Sequence, residues 1–276
     1  MPAPFSIDAF GPFAPGHLVI RWIDEPRRRD KTLDELVRNT WETETERARR
    51  TGRMLFNGQL ARYLGHRVDG RTLSLEVGPT DYANFLATNL LNARRGRELG
   101  WDLFSNPVGT SCTPITADGW LLFGRRGPAV AFHAGCCHTI GGGLEAAEKD
   151  ADGRIDAFAS ILRELREELG VAPSEVAGME CLGLIRDPAI LQPELIFDLD
   201  LKLTRAEVLE RFDPAAEGAE HLDLPSCRNE PEAVLPFIRA NRPITAVATA
   251  ALCLHGRRKF GEAWYERTLR DPALRI

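Results

Sequence analysis

Between Arg163 and Val171 the chain reads RELREELGV, and three carboxylates in this stretch have the spacing of a metal-binding face. At about 100° per residue, Glu164, Glu167 and Glu168 fall within a sector of roughly 100° on a helix. A solvated surface helix usually spreads its charges and alternates their sign. Gathering carboxylates is costly unless something positive sits among them. Carboxylates and carbonyl oxygens suit Mg²⁺, which tends to keep substrate phosphates among its ligands. The spacing therefore predicts glutamates placed to share hard divalent cations.

Such a face needs a rigid support, and the sequence provides one. Phe158, Ile161, Leu162, Leu165 and Leu169 recur at helical spacing and predict a helix over Ala157–Leu169 that buries its other side. Gly170 ends it. Upstream, SCTPITADGWLLFGRRG reads as a hairpin, and AVAFHAGCCHTI as a strand entering the triple glycine Gly141–Gly143. EAAEKDADGRID reads as a polar loop. Downstream, GMECLGLIRD and ELIFDLDLKL read as strands, followed by a helix opened by the capping pair Thr204 and Glu207 and then a mainly helical last third. The order is strand, glycine turn, acidic helix, strand, strand, helix.

The front of the chain has a pattern of its own. Leu18–Ile23 predicts a strand, and Asp30 caps a helix with apolar Leu33, Leu36, Val37 and Trp41. Its charged continuation ETETERARRTGR extends or frays that helix. Arg71–Gly78 alternates with period two, and a helix runs from Tyr82 to Gly100. WDLFSNPVGT breaks the periodicity and sets a boundary, with a smaller α+β domain over 1–105 and an α/β domain over 106–276.

Composition bounds the partners. The 276 residues carry 35 Lys+Arg against 40 Asp+Glu, a formal charge of −5 that argues against nucleic acid. No window approaches 18 uninterrupted apolar residues, so no membrane span is expected. The start MPAPFSIDAFGPF lacks the pattern of a secretory leader. The six cysteines show no paired spacing and are expected to be reduced, which predicts a cytoplasmic location. His133, Cys136, Cys137 and His138 resemble half a zinc site but find no second ligand pair, so strand residues entering a turn are the better reading.

The stretch RELREELGV, with the upstream glycines, resembles the Nudix box G-x5-E-x7-R-E-U-x-E-E-x-G-U, where U is aliphatic. Arg163, Glu164, Leu165, Glu167, Glu168, Gly170 and Val171 fill its second half. The resemblance implies a Nudix hydrolase: an α/β/α sandwich that hydrolyses a nucleoside diphosphate linked to another moiety. It implies Mg²⁺ or Mn²⁺ bound by Glu164, Glu167 and Glu168 with Gly143 beside them, and Arg163 pairing with carboxylates to orient them. The first half departs from the box. Ile155 stands where the acid belongs, Asp156 is the nearest candidate, and the triple glycine lies too far upstream for the box, which implies an insertion in the loop. The stretches GPTDYANFLATNL and NPVGTSCTPITADGWLLFGRRG further resemble the animal members that hydrolyse UDP-glucose and UDP-galactose. That likeness runs from about Trp41 to Lys202 and implies cleavage to UMP and sugar 1-phosphate.

Candidate substrate contacts follow. Tyr82 offers a ring to stack on uracil. Arg125, beside Arg126, offers a fork for a phosphate. Thr139 precedes the glycines, and Arg186 follows a strand near the expected cleft. Glu220, with Glu217 and His221 nearby, is a candidate further acid. Two alternatives stand beside the UDP-sugar reading: an ADP-ribose or other ADP-sugar pyrophosphatase, and a non-catalytic nucleotide-binding module. The partner is a small nucleotide sugar in the first two, and the sequence does not fix the oligomeric state.

Overall fold

A computed structural model describes residues 3–52, 55–128, 130, 132–215 and 220–274. Its strands are β1 (Ser6–Phe13), β2 (Leu18–Trp22), β3 (Gln59–Asp69), β4 (Thr72–Asp81), β5 (Gly109–Ile115), β6 (Trp120–Leu122) and β7 (Gly124–Arg126). They continue with β8 (Cys137–His138), β9 (Ile140–Gly143), β10 (Arg154–Ile155), β11 (Val176–Asp187), β12 (Gln192–Leu201), β13 (His221–Asp223) and β14 (Ser226–Arg228). The helices are α1 (Lys31–Thr51), α2 (Tyr82–Phe85), α3 (Leu91–Leu99), α4 (Ala157–Leu169), α5 (Arg205–Arg211), α6 (Val234–Ala240), α7 (Ala246–Phe260) and α8 (Glu262–Leu269).

The central sheet has seven strands, ordered β1-β11-β12-β5-β6-β14, with β9 also pairing to β5. β12 and β5 run parallel, and their neighbours are antiparallel. β12 is covered on both faces, which is why its apolar residues point both ways. Leu195, Phe197 and Leu199 join the cluster that holds Phe158, Ile161 and Leu165 of α4. Ile196 joins the opposite cluster, built on α7. The architecture is an α/β/α sandwich. Each large apolar side chain buried on α4 contributes about 1.5–3 kcal/mol, so the helix carrying the glutamates is fixed to the sheet by its other face.

A second sheet, β10-β2-β4-β3, and α1 make the smaller N-terminal layer. Asp30 caps α1 by accepting from the Leu33 N–H at 2.9 Å, and the charged run is helical through Thr51. Between α2 and α3, Leu86–Leu90 forms a π-helical turn. Sheet pairing crosses the position of residue 105 twice: β1 lies beside β11 in the large sheet, and β10 lies beside β2 in the small one.

The expected strand AVAFHAGCCHTI is corrected to a turn followed by two short strands, β8 and β9, with Ala129 and Ala131 outside the described residues. His133 and Gly135 adopt left-handed φ of 57° and 76°, which ends any extended run. The loop expected over 145–156 contains a 3₁₀ turn at Ala146–Glu148 and then β10. Among the described residues no helix is long and apolar enough to cross a membrane.

Candidate active site

α4 begins and ends where its sequence predicts. Asp156 is its N-cap, accepting from the N–H groups of Phe158 at 2.9 Å and Ala159 at 3.2 Å. Those bonds commit its carboxylate to the helix end, so Asp156 is corrected from candidate acid to cap. The acid that meets Arg163 is Glu148. Its Oε1 accepts from Arg163 Nε at 3.3 Å and Nη2 at 3.1 Å. Its Oε2 accepts from Ser160 Oγ at 2.8 Å and from the Glu145 N–H at 3.1 Å. Counting from Gly142, Glu148 completes G-x5-E. The departure from the box is an insertion after that acid, since 14 residues (149–162) separate it from Arg163. The inserted stretch makes β10 and adds a strand to the N-terminal sheet.

Arg163 gathers the carboxylates of its own helix as well. Its Nη2 lies 2.8 Å from Glu164 Oε1, and its Nη1 lies 3.2 Å from Glu167 Oε2. Glu167 stands on the rim with 58% of its side chain exposed, whereas Glu164 and Glu168 keep 12% and 8%. These two point inward at the glycine strand. A Cβ on Gly142 would lie 2.6 Å from Glu164 Oε1, so only glycine lets that carboxylate approach β9. The Gly141 N–H donates to Glu168 Oε1 at 3.3 Å. On its other side, Glu168 Oε2 lies 2.8 Å from His221 Nε2.

Burial dominates the electrostatics of this corner. Burial raises the Glu164 carboxyl to about 7, against the pull of Arg163, and Glu168, Glu167 and Glu220 push it further. Burial also holds Glu168 well above the usual carboxylate range, with Glu220 adding to it. Burial pushes His221 down to about 4, so the imidazole is neutral. The tautomer with its hydrogen on Nε2 donates to Glu168 and leaves Nδ1, which has no hydrogen-bond partner among the described residues, as the bare nitrogen. Side chains alone do not close the site: among the described residues no three His, Cys, Asp or Glu converge on one point.

The glycine strand floors a cleft of about 280 Å³, with Tyr82, Phe85, Arg126, Phe132, Glu194 and Glu220 among its lining. Tyr82 is thus in the cleft wall, edge-on to Trp41 and Phe85. Glu220 is there too, 3.2 Å from Arg126 Nη1. Glu217 lies outside the described residues. Arg125 does not line the cleft. It lies 3.4 Å from Asp223 and donates to Asn241 Oδ1 at 2.9 Å, while alternation along β7 turns Arg126 inward. Arg186 is also elsewhere. Its guanidinium lies between the Tyr63 and Trp101 rings, 2.6 Å from Asp8, in a separate groove of about 610 Å³. Thr139 is fully buried beside the cleft rather than in its lining. His133 and His138 are cleft residues, whereas Cys137 is buried.

Glu194 was not foreseen, because its strand reads as a core strand with three acids, none of them marked out. It is 6% exposed, and its Oε1 accepts from Ser111 Oγ at 2.5 Å. Burial pushes its carboxyl up to about 8, with Asp187 adding to the effect. A carboxyl raised in the folded state is stabilising while protonated, below its unfolded value of about 4.3. That contribution is lost as pH rises through about 8. Glu194→Gln keeps the Ser111 hydrogen bond without the charge. The variant should match wild type at pH 5 and exceed it at pH 8.5 by a few kcal/mol, read as a Tm gain of several degrees. An equal Tm difference at both pH values would refute this.

No known protein-family profile matches the chain. It is 25% identical over 240 residues to Nudix hydrolase 9 of Arabidopsis thaliana, covering 73% of this chain and 74% of that one. It is 29% identical over 135 residues to uridine diphosphate glucose pyrophosphatase NUDT22 of Bos taurus, covering 42% of this chain and 47% of that one. Among solved structures it is similar to DR0079 of Deinococcus radiodurans, with TM-score 0.39 and 17% identity over 53% of this chain and 80% of that one. It is also similar to the Nudix hydrolase RenU of M. Smegmatis, with TM-score 0.35 and 12% identity over 56% and 86%. The chain resembles Nudix hydrolases, as its box indicates, and its fold is of the α/β class expected from that likeness.

Proposed function

We propose that this chain is a metal-dependent Nudix hydrolase that cleaves the diphosphate of nucleoside diphosphate sugars, UDP-glucose and UDP-galactose foremost, to UMP and sugar 1-phosphate. The observation that carries the reading is the corner where Glu164 and Glu168 meet the glycine strand. Two carboxylates raised by burial and by neighbouring acids, Glu220 among them, fit a hard divalent cation. Glu164, Glu168 and the Gly143 backbone would hold it, with Glu167 on the rim. When bound, Mg²⁺ neutralises charge developing on the diphosphate and helps align the attacking water.

The chain's own groups do the rest. Arg163 binds Glu148, Glu164 and Glu167 at once and fixes the orientation of the acidic face. His221 and the Gly141 N–H hold Glu168 so that it can take a proton from water at the phosphorus. The water oxygen bonds to phosphorus, the bridging P–O bond breaks, and each product leaves with a phosphate. Arg126, the arginine of the cleft lining, meets the diphosphate. Tyr82 supplies a ring against which a substrate ring stacks. The bovine relative's name, covering the part of this chain that aligns with it, supports uridine as the nucleoside.

The test is a panel of UDP-glucose, UDP-galactose, ADP-ribose, ADP-glucose and NADH with Mg²⁺, products separated by ion exchange. Turnover of the UDP-sugars well above the others is the expected result, with loss of all activity on chelation and recovery with Mg²⁺ or Mn²⁺. Preference for ADP-ribose would keep the Nudix chemistry and overturn the uridine assignment.

A further inference from the structure

The small sheet β13-β7-β8 turns one face toward the acidic corner. His221 of β13 pairs with Arg126 of β7, and Gly124 of β7 pairs with His138 of β8. Paired residues of antiparallel strands share a face, as do residues two apart on one strand. His221, Arg126, Gly124 and His138 therefore stand on one side. Gly124 leaves the space between the imidazoles open, since a Cβ there would collide with the His221 ring. His138 is thus the neighbour of His221, which holds Glu168, and of Arg126, which lines the cleft with it.

The His138 ring is fixed from behind. Its Nδ1 lies 2.8 Å from Thr245 Oγ1. Backbone bonds keep the two residues in register: the Cys137 N–H donates to the Pro243 carbonyl at 2.8 Å, and the Thr245 N–H donates to the Cys137 carbonyl at 3.0 Å. Thr245 is the N-cap of α7, and its Oγ1 already accepts from the Ala248 N–H at 3.1 Å. Thr245 is 2% exposed, and a buried hydroxyl hydrogen without an acceptor is costly. Among the described residues Nδ1 is the acceptor which that hydroxyl meets, so Thr245 donates and Nδ1 accepts. Burial lowers the imidazole well below its usual range, and Arg126, His133 and His221 push it the same way. A neutral ring whose Nδ1 accepts carries its hydrogen on Nε2. That is the ring edge turned away from Thr245, in a residue that lines the cleft.

The start of α7 reinforces this choice. Val247, in its first turn, also lines the cleft, so the positive end of the helix dipole lies behind the His138 ring. Such an end favours the neutral imidazole and, in front of it, a negative oxygen. We infer that His138 is a further catalytic residue, its Nε2–H donating a hydrogen bond to a phosphoryl oxygen of the bound diphosphate, with Thr245 as the positioning residue that fixes the tautomer. This rests on the function proposed above and adds a donor to it, aimed where negative charge builds as the bridging P–O bond breaks. The competing role is purely structural: a tie between β8 and α7 through the Thr245 hydrogen bond.

His138→Asn and His138→Gln separate the two roles. The asparagine amide oxygen sits where Nδ1 does and keeps the Thr245 tie, but it puts no donor at the Nε2 position. The longer glutamine places an amide N–H there and gives up the tie. Thermal melting checks that both fold. On UDP-glucose with Mg²⁺, His138→Asn should lower kcat about 10²-fold, with KM moved by less than about threefold. His138→Gln should stay within about 10-fold of wild type in kcat. An asparagine variant as active as the glutamine variant, or more active, would assign His138 to the tie and overturn the inference. Assigned ¹⁵N spectra of the wild-type histidines give a second reading that needs no variant. They should find the His138 hydrogen on Nε2, and a hydrogen on Nδ1 would overturn the inference whatever the variants do. Wild type that cleaves no nucleoside diphosphate sugar would overturn the proposed function and this inference together, whereas an active wild type with an unimpaired asparagine variant would overturn the inference alone.

Discussion

Glu168→Gln lowers kcat by about 10²–10⁴-fold, the range for removing a positioned general base, while the folded protein keeps or gains stability. Both halves follow from its surroundings. Glu168 is 8% exposed, with the Gly141 N–H on one oxygen and His221 Nε2 on the other. The amide of glutamine keeps an oxygen for Gly141 and turns an N–H toward His221. The neutral imidazole answers by moving its hydrogen to Nδ1, which has no competing partner among the described residues. The new unpaired donors are that relocated N–H and the second amide N–H of glutamine, and against them a carboxyl held well above its usual range by burial is removed. The chemistry has no such alternative: an amide neither takes a proton from water nor contributes charge to a metal. Turnover and melting of the purified variant are the measurements. Activity within a few-fold of wild type at saturating Mg²⁺ would remove Glu168 from the mechanism.

Gly142→Ala is the second large effect, and it separates catalysis from folding more sharply. The added Cβ would lie 2.6 Å from Glu164 Oε1, 2.8 Å from Cδ and 3.0 Å from Oε2. Only the end of a long side chain has to give way, so the backbone is undisturbed and the carboxylate is displaced. A misplacement of about 1 Å at a catalytic group costs on the order of 10²-fold. Gly141→Ala is the contrast. Its φ is 152°, and its Cβ would meet the Thr110 carbonyl oxygen at 2.0 Å, a backbone collision inside the β5–β9 pairing. The account expects Gly142→Ala to melt within a few degrees of wild type with kcat down about 10²-fold, and Gly141→Ala to lose the fold. Equal melting and equal activity for the two variants would contradict it.

The acidic helix was legible because two independent signals coincide on it: an apolar stripe and a terminal glycine. Gly170 indeed takes φ 66° at its end. The same consistency made Asp30 and the Thr204–Glu207 capping box readable. The first acid of the box was misread as Asp156 because spacing was counted backwards from Arg163 across an insertion. Counted forwards from Gly142 it reaches Glu148, so the signal was present in the sequence. β1 was hidden by Gly-Pro within it, which an edge strand tolerates. β3 was hidden by Arg62, a buried guanidinium that donates to the Phe104 and Asp102 carbonyls at 3.2 and 2.5 Å. Adjacent arginines on one strand carry no label for which faces inward, and of the pair offered as a phosphate fork Arg126 lines the cleft while Arg125 does not. Glu194 gave no sign, since nothing in the sequence separates it from Asp198 and Asp200 of the same strand, and it becomes a cleft residue only when the third dimension brings β5 and β9 beside it.

The central claim is that the Glu164–Glu168 corner, with a divalent metal, delivers water to a diphosphate. Incubating UDP-glucose with the protein and Mg²⁺ in ¹⁸O-labelled water, with mass spectrometry of the products, tests it in one step. The account predicts UMP and glucose 1-phosphate, one ¹⁸O in the phosphate of one product, and no reaction with chelator or with Glu168→Gln. Release of UDP and free glucose, or cleavage unaffected by chelation, would contradict it.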